Sequence, residues 1–150
     1  GWPILRRVLD LATAAICVET VGVGQRALEM SVQYAKERVQ FGKPIGSFQA
    51  VKHKCVDMMV AVENARSLSY YAAWAVDERN AEAGQAVPMA KAYCSDMGKN
   101  VTSDAIQVHG GIGFTWEHDI HLYYRRALAN ESAFGTAPLH REAVAQRLNL

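Results

Sequence analysis

The chain has 150 residues, half of them hydrophobic, with sixteen Lys and Arg against fifteen Asp and Glu for a net charge of +1. That length builds one compact core and gives no argument for two, and so balanced a charge excludes the one-signed field that draws proteins onto nucleic acid or anionic lipid. No stretch approaches about eighteen uninterrupted apolar residues and no secretory leader pattern opens the chain, so no membrane partner is expected.

From Ile4 to about Glu37 apolar residues recur at helical spacing, with Ile4, Val8, Leu11, Ala15 and Val18 on one stripe and Leu28, Val32 and Ala35 continuing it. One long helix is expected there. Arg38 to Gly46 follows, where two glycines and Pro44 stop the helix in a loop that still carries Phe41 and Ile45. Ser47 reads as an N-cap. Behind it Phe48, Val51, Cys55, Met58, Val62, Ala65, Ser69, Ala72 and Val76 keep the three-four alternation of an antiparallel bundle helix. Asp77 to Gln85 is polar and reads as a connection. A third helix is expected from Val87 to Val108, with Pro88 in its first turn and Gly110-Gly111 at its end. Glu117 to about Asn130 and Ala137 to Leu148 read as a fourth and a fifth, separated by Gly135 and Pro138. No period-two strand pattern survives. The fold class is all-α, an antiparallel bundle of four to five helices.

Cys17, Cys55 and Cys94 are far apart, each within an apolar helical pattern, as buried thiols of a reducing compartment are. The bacterial cytoplasm or an organellar matrix is the expected location. Because the chain lacks an initial Met and enters a helix at once, residues 1–150 are read as one domain of a longer protein.

Two loops hold glycines beside groups suited to an anion or a flat ring. In the first, Arg38 offers a forked cation, Gln40 an amide and Phe41 an aromatic face, a trio that suits a dinucleotide. A helix C-terminus whose Arg answers the helix dipole while Phe41 packs inward accounts for the same residues, and their physics alone does not decide. In the second, Gln107 to Phe114, three glycines in four positions let backbone N–H groups approach a ligand. A glycine C-cap followed by a turn is its plain alternative.

The two loops, their order and their separation resemble one family, the acyl-CoA dehydrogenases. The resemblance runs through V-G-V-G-Q-R-A-L (Val21 to Leu28), Y-A-K-E-R-V-Q-F-G-K-P-I (Tyr34 to Ile45), A-K-A-Y-C-S-D (Ala90 to Asp96), D-A-I-Q-V-H-G-G-I-G-F (Asp104 to Phe114) and L-Y-Y-R-R-A (Leu122 to Ala127). It implies the C-terminal helical domain of such an enzyme, with an N-terminal helical domain and a middle β-domain lying outside this sequence. By the same resemblance Arg38, Gln40 and Phe41 meet an FAD held mainly by a neighbouring subunit, with Arg38 at the pyrophosphate and Phe41 near the adenine. Gln107, Gly111 and Thr136 match further positions at that cofactor. The implied reaction removes the α-proton of an acyl-CoA thioester with a carboxylate base while the β-hydrogen leaves as hydride to FAD. An electron-transfer flavoprotein or equivalent acceptor and a homo- or hetero-tetramer complete the expectation.

The family's base positions carry no carboxylate here. Counting without a gap from Gly110 sets Phe134 where a Glu is expected, and counting back from Arg38 sets Ala12 at the alternative position. Glu19 lies two turns beyond Ala12, roughly 10 Å along the axis, and Glu131 three residues before Phe134; these are the substitute candidates. A non-catalytic subunit of a heteromeric acyl-CoA dehydrogenase is the arrangement this pattern favours, of the kind that acts on bulky acyl chains including steroid side chains. Two readings of other classes stand beside it. Glu117-His118-Asp119-Ile120-His121 crowds potential metal ligands together, but no Glu-x-x-His occurs in the chain, and no metal site is expected. Tyr70, Tyr71 and Trp74 would serve an interaction module as a docking face.

Overall fold

The computed structural model describes residues 1–150 as five α-helices and one very short hairpin. Helix α1 is Trp2–Glu37, strands β1 and β2 are Val39–Gln40 and Lys43–Pro44, and a 3-10 turn covers Ile45–Ser47. Helices α2 (Gln49–Asp77) and α3 (Ala83–His109) follow, then a 3-10 turn at Gly110–Phe114, α4 (Ile120–Ser132) and α5 (Ala137–Arg147). Helix α3 is the centre of the bundle, packed against all four others, while α1 also crosses α2 and α4.

The core is made of small and medium side chains. Cys17, Val21, Ala27 and Leu28 from α1 meet Met58, Val62, Ala65 and Ala72 from α2 and Ala90, Cys94, Met97, Val101 and Ala105 from α3, with Ile120 closing the end. Close helix approach requires such residues. At Gly98 a Cβ would stand 2.6 Å from Cγ2 of Thr20, so α3 lies against α1 at a separation that only glycine permits.

Helix α1 forms as expected, but the apolar stripe that marks it is not the one the bundle buries. The stripe Ile4, Val8, Leu11, Ala15 and Val18 faces outward, with Ile4 74% exposed, and the core-facing stripe is Thr13, Cys17, Thr20, Val21, Gly24 and Leu28. Helical periodicity finds an apolar stripe; it does not say which stripe the rest of the molecule covers. An 18-residue window of α1 reaches a mean hydropathy of 1.3, yet a third of it is buried in the bundle. The inward groups that are polar are satisfied locally, as Thr13 and Thr20 donate to the carbonyls of Leu9 and Ile16 at 2.7 Å.

The connections carry the other corrections. Residues 38–46 form a hairpin too short for a strand pattern to register, with Val39 opposite Pro44 and Gln40 opposite Lys43. Its two-residue turn holds Phe41 at φ 53° and Gly42 at φ 77°, the doubly positive geometry that suits a tight hairpin. Ser47 is not the N-cap of α2: its hydroxyl donates to the Pro44 carbonyl at 2.7 Å, and Phe48 occupies the cap position. Helix α3 starts at Ala83, four residues before the expected Val87, so Pro88 sits in the second turn. The signal was Asn80, whose side chain accepts from the Glu82 N–H at 2.9 Å and opens the helix through a local turn. Helix α4 begins only at Ile120, because Glu117 to Asp119 are used in a turn where His118 Nδ1 accepts from the Ile120 N–H at 3.2 Å.

Candidate functional site

Opposite ends of the bundle each carry a hollow. At the C-terminal ends of α1 and α3 lies a cleft of about 410 Å³, lined by Tyr34, Arg38 and Gln40 on one side and by His109, Gly110 and Gly111 on the other. Arg38 leaves α1 as its C-cap, donating its backbone N–H to the Tyr34 carbonyl at 2.8 Å, and its guanidinium has no partner within the chain. Gly110 caps α3 at φ 64°, a left-handed conformation that favours glycine. Beside it, nothing approaches within 4 Å of where a Cβ of Gly111 would stand, which leaves its backbone open to a ligand.

The floor of the cleft is aromatic. His109 is 3% exposed, stacks on Tyr34 at 4.6 Å and meets the His118 ring at a tilt, 4.3 Å between centroids. Its Nδ1 lies 2.7 Å from the Ala105 carbonyl and therefore carries the proton, leaving Nε2 buried without a partner. Burial above all, with a lesser contribution from His118, pushes its pKa below the usual histidine value.

Not every candidate converges on that cleft. Gln107 is exposed and lines an adjoining hollow of about 270 Å³ with Ser103, Ile106, Phe114 and Tyr124. Phe41 is 91% exposed at the hairpin tip, edge-on to Phe48 at 6.0 Å, where nothing in the chain covers it. Thr136 lies at the other end of the bundle as the N-cap residue of α5.

That other end holds a cavity of about 420 Å³ lined by Arg6 and Asp10 of α1, Val87 and Pro88 of α3, and Phe134, Gly135 and His140 around the start of α5. Phe134 stands in the turn at φ 56°, followed by Gly135 at φ 103°. Two polar struts hold this turn. Lys91, 1% exposed, donates its ammonium protons to Ser95 Oγ at 2.8 Å and to the carbonyls of Asn130 and Glu131 at 2.9 and 3.0 Å, which end α4. His140 donates Nε2–H to the Phe134 carbonyl at 2.9 Å. Burial pushes the pKa of His140 down, the Phe134 carbonyl partly offsets this, and Lys91 and Arg6 lower it further.

Neither substitute acid lines this cavity, and neither does Ala12. Glu19 is exposed and ion-paired with Arg126 of α4, which holds its carboxyl below the usual range. Glu131 gives its backbone carbonyl to Lys91. The carboxylate that does line the cavity, Asp10, accepts from Arg6 Nε at 3.2 and 3.4 Å. Asp10, Arg6 and His140 escaped the sequence reading because each sits in an ordinary helical position, and only the fold gathers them.

The remaining motifs disperse. His118 meets the His109 ring at a tilt, His121 meets Trp116 edge-on at 5.2 Å, and Glu117 and Asp119 face solvent, so no three potential ligands converge. Tyr71 donates its hydroxyl to Glu82 at 2.6 Å and stacks on Trp74 at 6.1 Å. Cys17 and Cys94 are buried free thiols and Cys55 is half-buried.

Against known proteins, the sequence profile of the family described as "Acyl-CoA dehydrogenase, C-terminal domain" matches residues 1–149. The acyl-CoA dehydrogenase IpdE2 of Mycolicibacterium smegmatis is 40% identical over 126 residues, which cover 84% of this chain and 39% of that protein. Butyryl-CoA dehydrogenase from Megasphaera elsdenii superposes with a TM-score of 0.95 at 31% identity, over all of this chain and 39% of that one. A structure of PigA with FAD and proline gives a TM-score of 0.94, also at 31% identity, over all of this chain and 39% of its own. The chain thus spans about two fifths of the relatives it matches.

Proposed function

The chain belongs to the acyl-CoA dehydrogenase family as its C-terminal domain, and from that premise we propose that it completes the FAD site of an enzyme that dehydrogenates acyl-CoA thioesters between the α and β carbons. The observation that carries this reading is the single cleft shared by Arg38, Gln40 and the open backbone of Gly111. A forked cation without an internal partner suits a pyrophosphate, and glycine N–H groups suit an anion or a ribose at close approach. The volume lies within the range of small-molecule sites, which runs from about 300 to 1,000 Å³. The residues present therefore fit the adenosine and pyrophosphate half of FAD, and the exposed Phe41 beside them fits its adenine. Bound flavin would supply the hydride acceptor; these side chains would hold and orient it.

A cofactor half-site that opens outward at a hairpin tip is useful to a neighbouring subunit. The proposed assembly is accordingly a homo- or hetero-tetramer, with an acyl-CoA substrate and an electron-transfer flavoprotein or equivalent acceptor as partners. A second reading, a non-catalytic FAD-supporting subunit of a heteromer, is favoured by Phe134 and Ala12, which leave both family base positions without a carboxylate.

The test is flavin retention by the full-length enzyme after Arg38→Ala. Loss of a charge-assisted contact of about 1.5–3 kcal/mol would weaken flavin binding by roughly ten- to a hundredfold. The thermal midpoint of the apoprotein should not move, because Arg38 has no partner within the chain. Stoichiometric flavin in the purified variant would count against the site.

A further inference from the structure

The cavity beneath Phe134 contains one group able to accept a proton at neutral pH without first leaving an ion pair. Asp10 is tied to Arg6 through both carboxylate oxygens, and Glu19 and Glu131 do not line the cavity. His140 does line it. Its Nε2 must be the protonated nitrogen, since the Phe134 carbonyl it meets at 2.9 Å can only accept. The Nε2 and Cδ2 edge of the ring lies against Gly135, where a Cβ would stand 3.0 and 3.5 Å from those two atoms. Nδ1 lies on the opposite edge, carries the lone pair of this tautomer and makes no hydrogen bond within the chain.

We propose that Nδ1 of His140 is the proton acceptor for an acyl thioester seated in this cavity, in place of the carboxylate that Phe134 and Ala12 do not supply. This rests on the dehydrogenase reading and assigns its missing base. The step balances within the site. The C–H bond at the α-carbon breaks, its electron pair moves into the thioester carbonyl as an enolate, and the proton forms an N–H bond at Nδ1. Nε2–H stays on the Phe134 carbonyl throughout, so the ring does not have to turn.

The surroundings suit that role. Burial opposes a positive imidazole, and Lys91 of α3 and Arg6 of α1 oppose it too, which keeps the ring in the neutral form that can accept a proton in the resting site. Asp10 of α1 acts in the other direction and stabilises the imidazolium once it forms. Leu9, Val87, Phe134 and Leu139 give the cavity apolar walls against which an acyl chain can lie.

The experiment uses the flavin-loaded full-length enzyme, with its partner subunit if it has one, and β-thia-acyl-CoA thioesters of graded chain length. These can lose an α-proton but carry no β-hydride. Exchange of the α-hydrogen with D₂O is followed by NMR, and turnover of the matching acyl-CoA is followed separately. His140→Gln keeps an amide N–H for the Phe134 carbonyl and removes the base. The expected result is a fall of about a hundredfold or more in both exchange and kcat, with flavin content and thermal midpoint as in the parent. In the parent, exchange should rise with pH along a limb centred below 6.5, the ordinary histidine value, and that limb should vanish in the variant. Exchange at the parental rate in His140→Gln would overturn the assignment and place the base on another subunit. A parent that holds flavin yet shows no exchange with any thioester overturns it as well. A full-length protein that binds no flavin would instead sink the reading beneath it.

Discussion

The two ends of this bundle solve different problems with different kinds of residue. At the cleft end, the work falls to backbone and to contiguous sequence: a hairpin turn, a glycine cap and an Arg that follows directly on α1. At the cavity end, residues that are distant in the chain meet around a turn that has no sequence signature of its own. Arg6 and Asp10 come from the first helix, Val87 and Pro88 from the third, and Phe134 and His140 from the last connection and α5. Helices α1 and α3 both reach from one end to the other, α1 over roughly 50 Å at about 1.5 Å per residue. The cleft is thus specified locally and the cavity globally, and damage to packing should register at the second far more than at the first.

The sharpest way to break that contrast is Lys91→Met. The ammonium is buried and its three protons are all used, two of them on carbonyls at the end of α4. Removing it leaves those carbonyls unsatisfied in the interior, at a cost of about 3 kcal/mol by chemical denaturation. The Phe134 turn should loosen, and flavin affinity at the distant cleft should be retained in whatever fraction stays folded. If the variant instead lost flavin affinity while its stability held, the independence of the two ends would be wrong.

Two glycines four residues or fewer from the α3 cap sharpen the comparison from the other side. A Cβ on Gly113 would stand 2.7 Å from the Ile106 carbonyl oxygen and 3.1 Å from Cβ of His109, so Gly113→Ala must displace backbone and should cost about 2 kcal/mol. Gly111 has open space at the same position. Gly111→Ala should leave stability within about 0.5 kcal/mol and reduce flavin binding alone, measured by titration of the full-length apoprotein. Equal destabilisation by the two substitutions would contradict the division between a structural and a ligand-facing glycine.

The same division explains what could be read from the sequence. The five helices followed from periodicity and punctuation because the bundle is built from long amphipathic segments, and the cleft residues followed because each of the two loops that meet there carries a contiguous motif that resembles the family's. Periodicity marked the helix α1 without showing its buried face, since Ile4, Val8 and Leu11 are more apolar than Thr13, Cys17 and Thr20 but the small residues are the ones that let helices approach. The start of α3 was hidden because Asn80 opens it through its own side chain three residues before the first helical position. At the cavity, His140 carried no signal at all: its meaning comes from the Phe134 carbonyl six residues earlier and from Arg6 and Lys91 on other helices.

The smallest expected effect concerns strained backbone at the corner between α2 and α3. Phe41 in the hairpin turn and Phe134 beside the cavity hold positive φ without being glycine, and so does Arg79, at φ 54° between α2 and α3. Arg79 occupies the left-handed position that closes α2, with the Asn80 N–H reaching back to the Ala75 carbonyl at 2.9 Å, a site where glycine is the usual residue. Its side chain is exposed and makes no hydrogen bond or ion pair. Left-handed backbone costs an L-residue about 1–2 kcal/mol, and glycine gives back about 0.5–1 kcal/mol through its greater freedom in the unfolded chain. The first effect is larger, so Arg79→Gly should stabilise the domain by about 0.5–1 kcal/mol, read as a rise in the urea midpoint at unchanged slope. A destabilised variant would mean that the Arg79 stem contributes packing across the α2–α3 corner, and the cavity end would then depend on its connections as closely as the cleft depends on its hairpin.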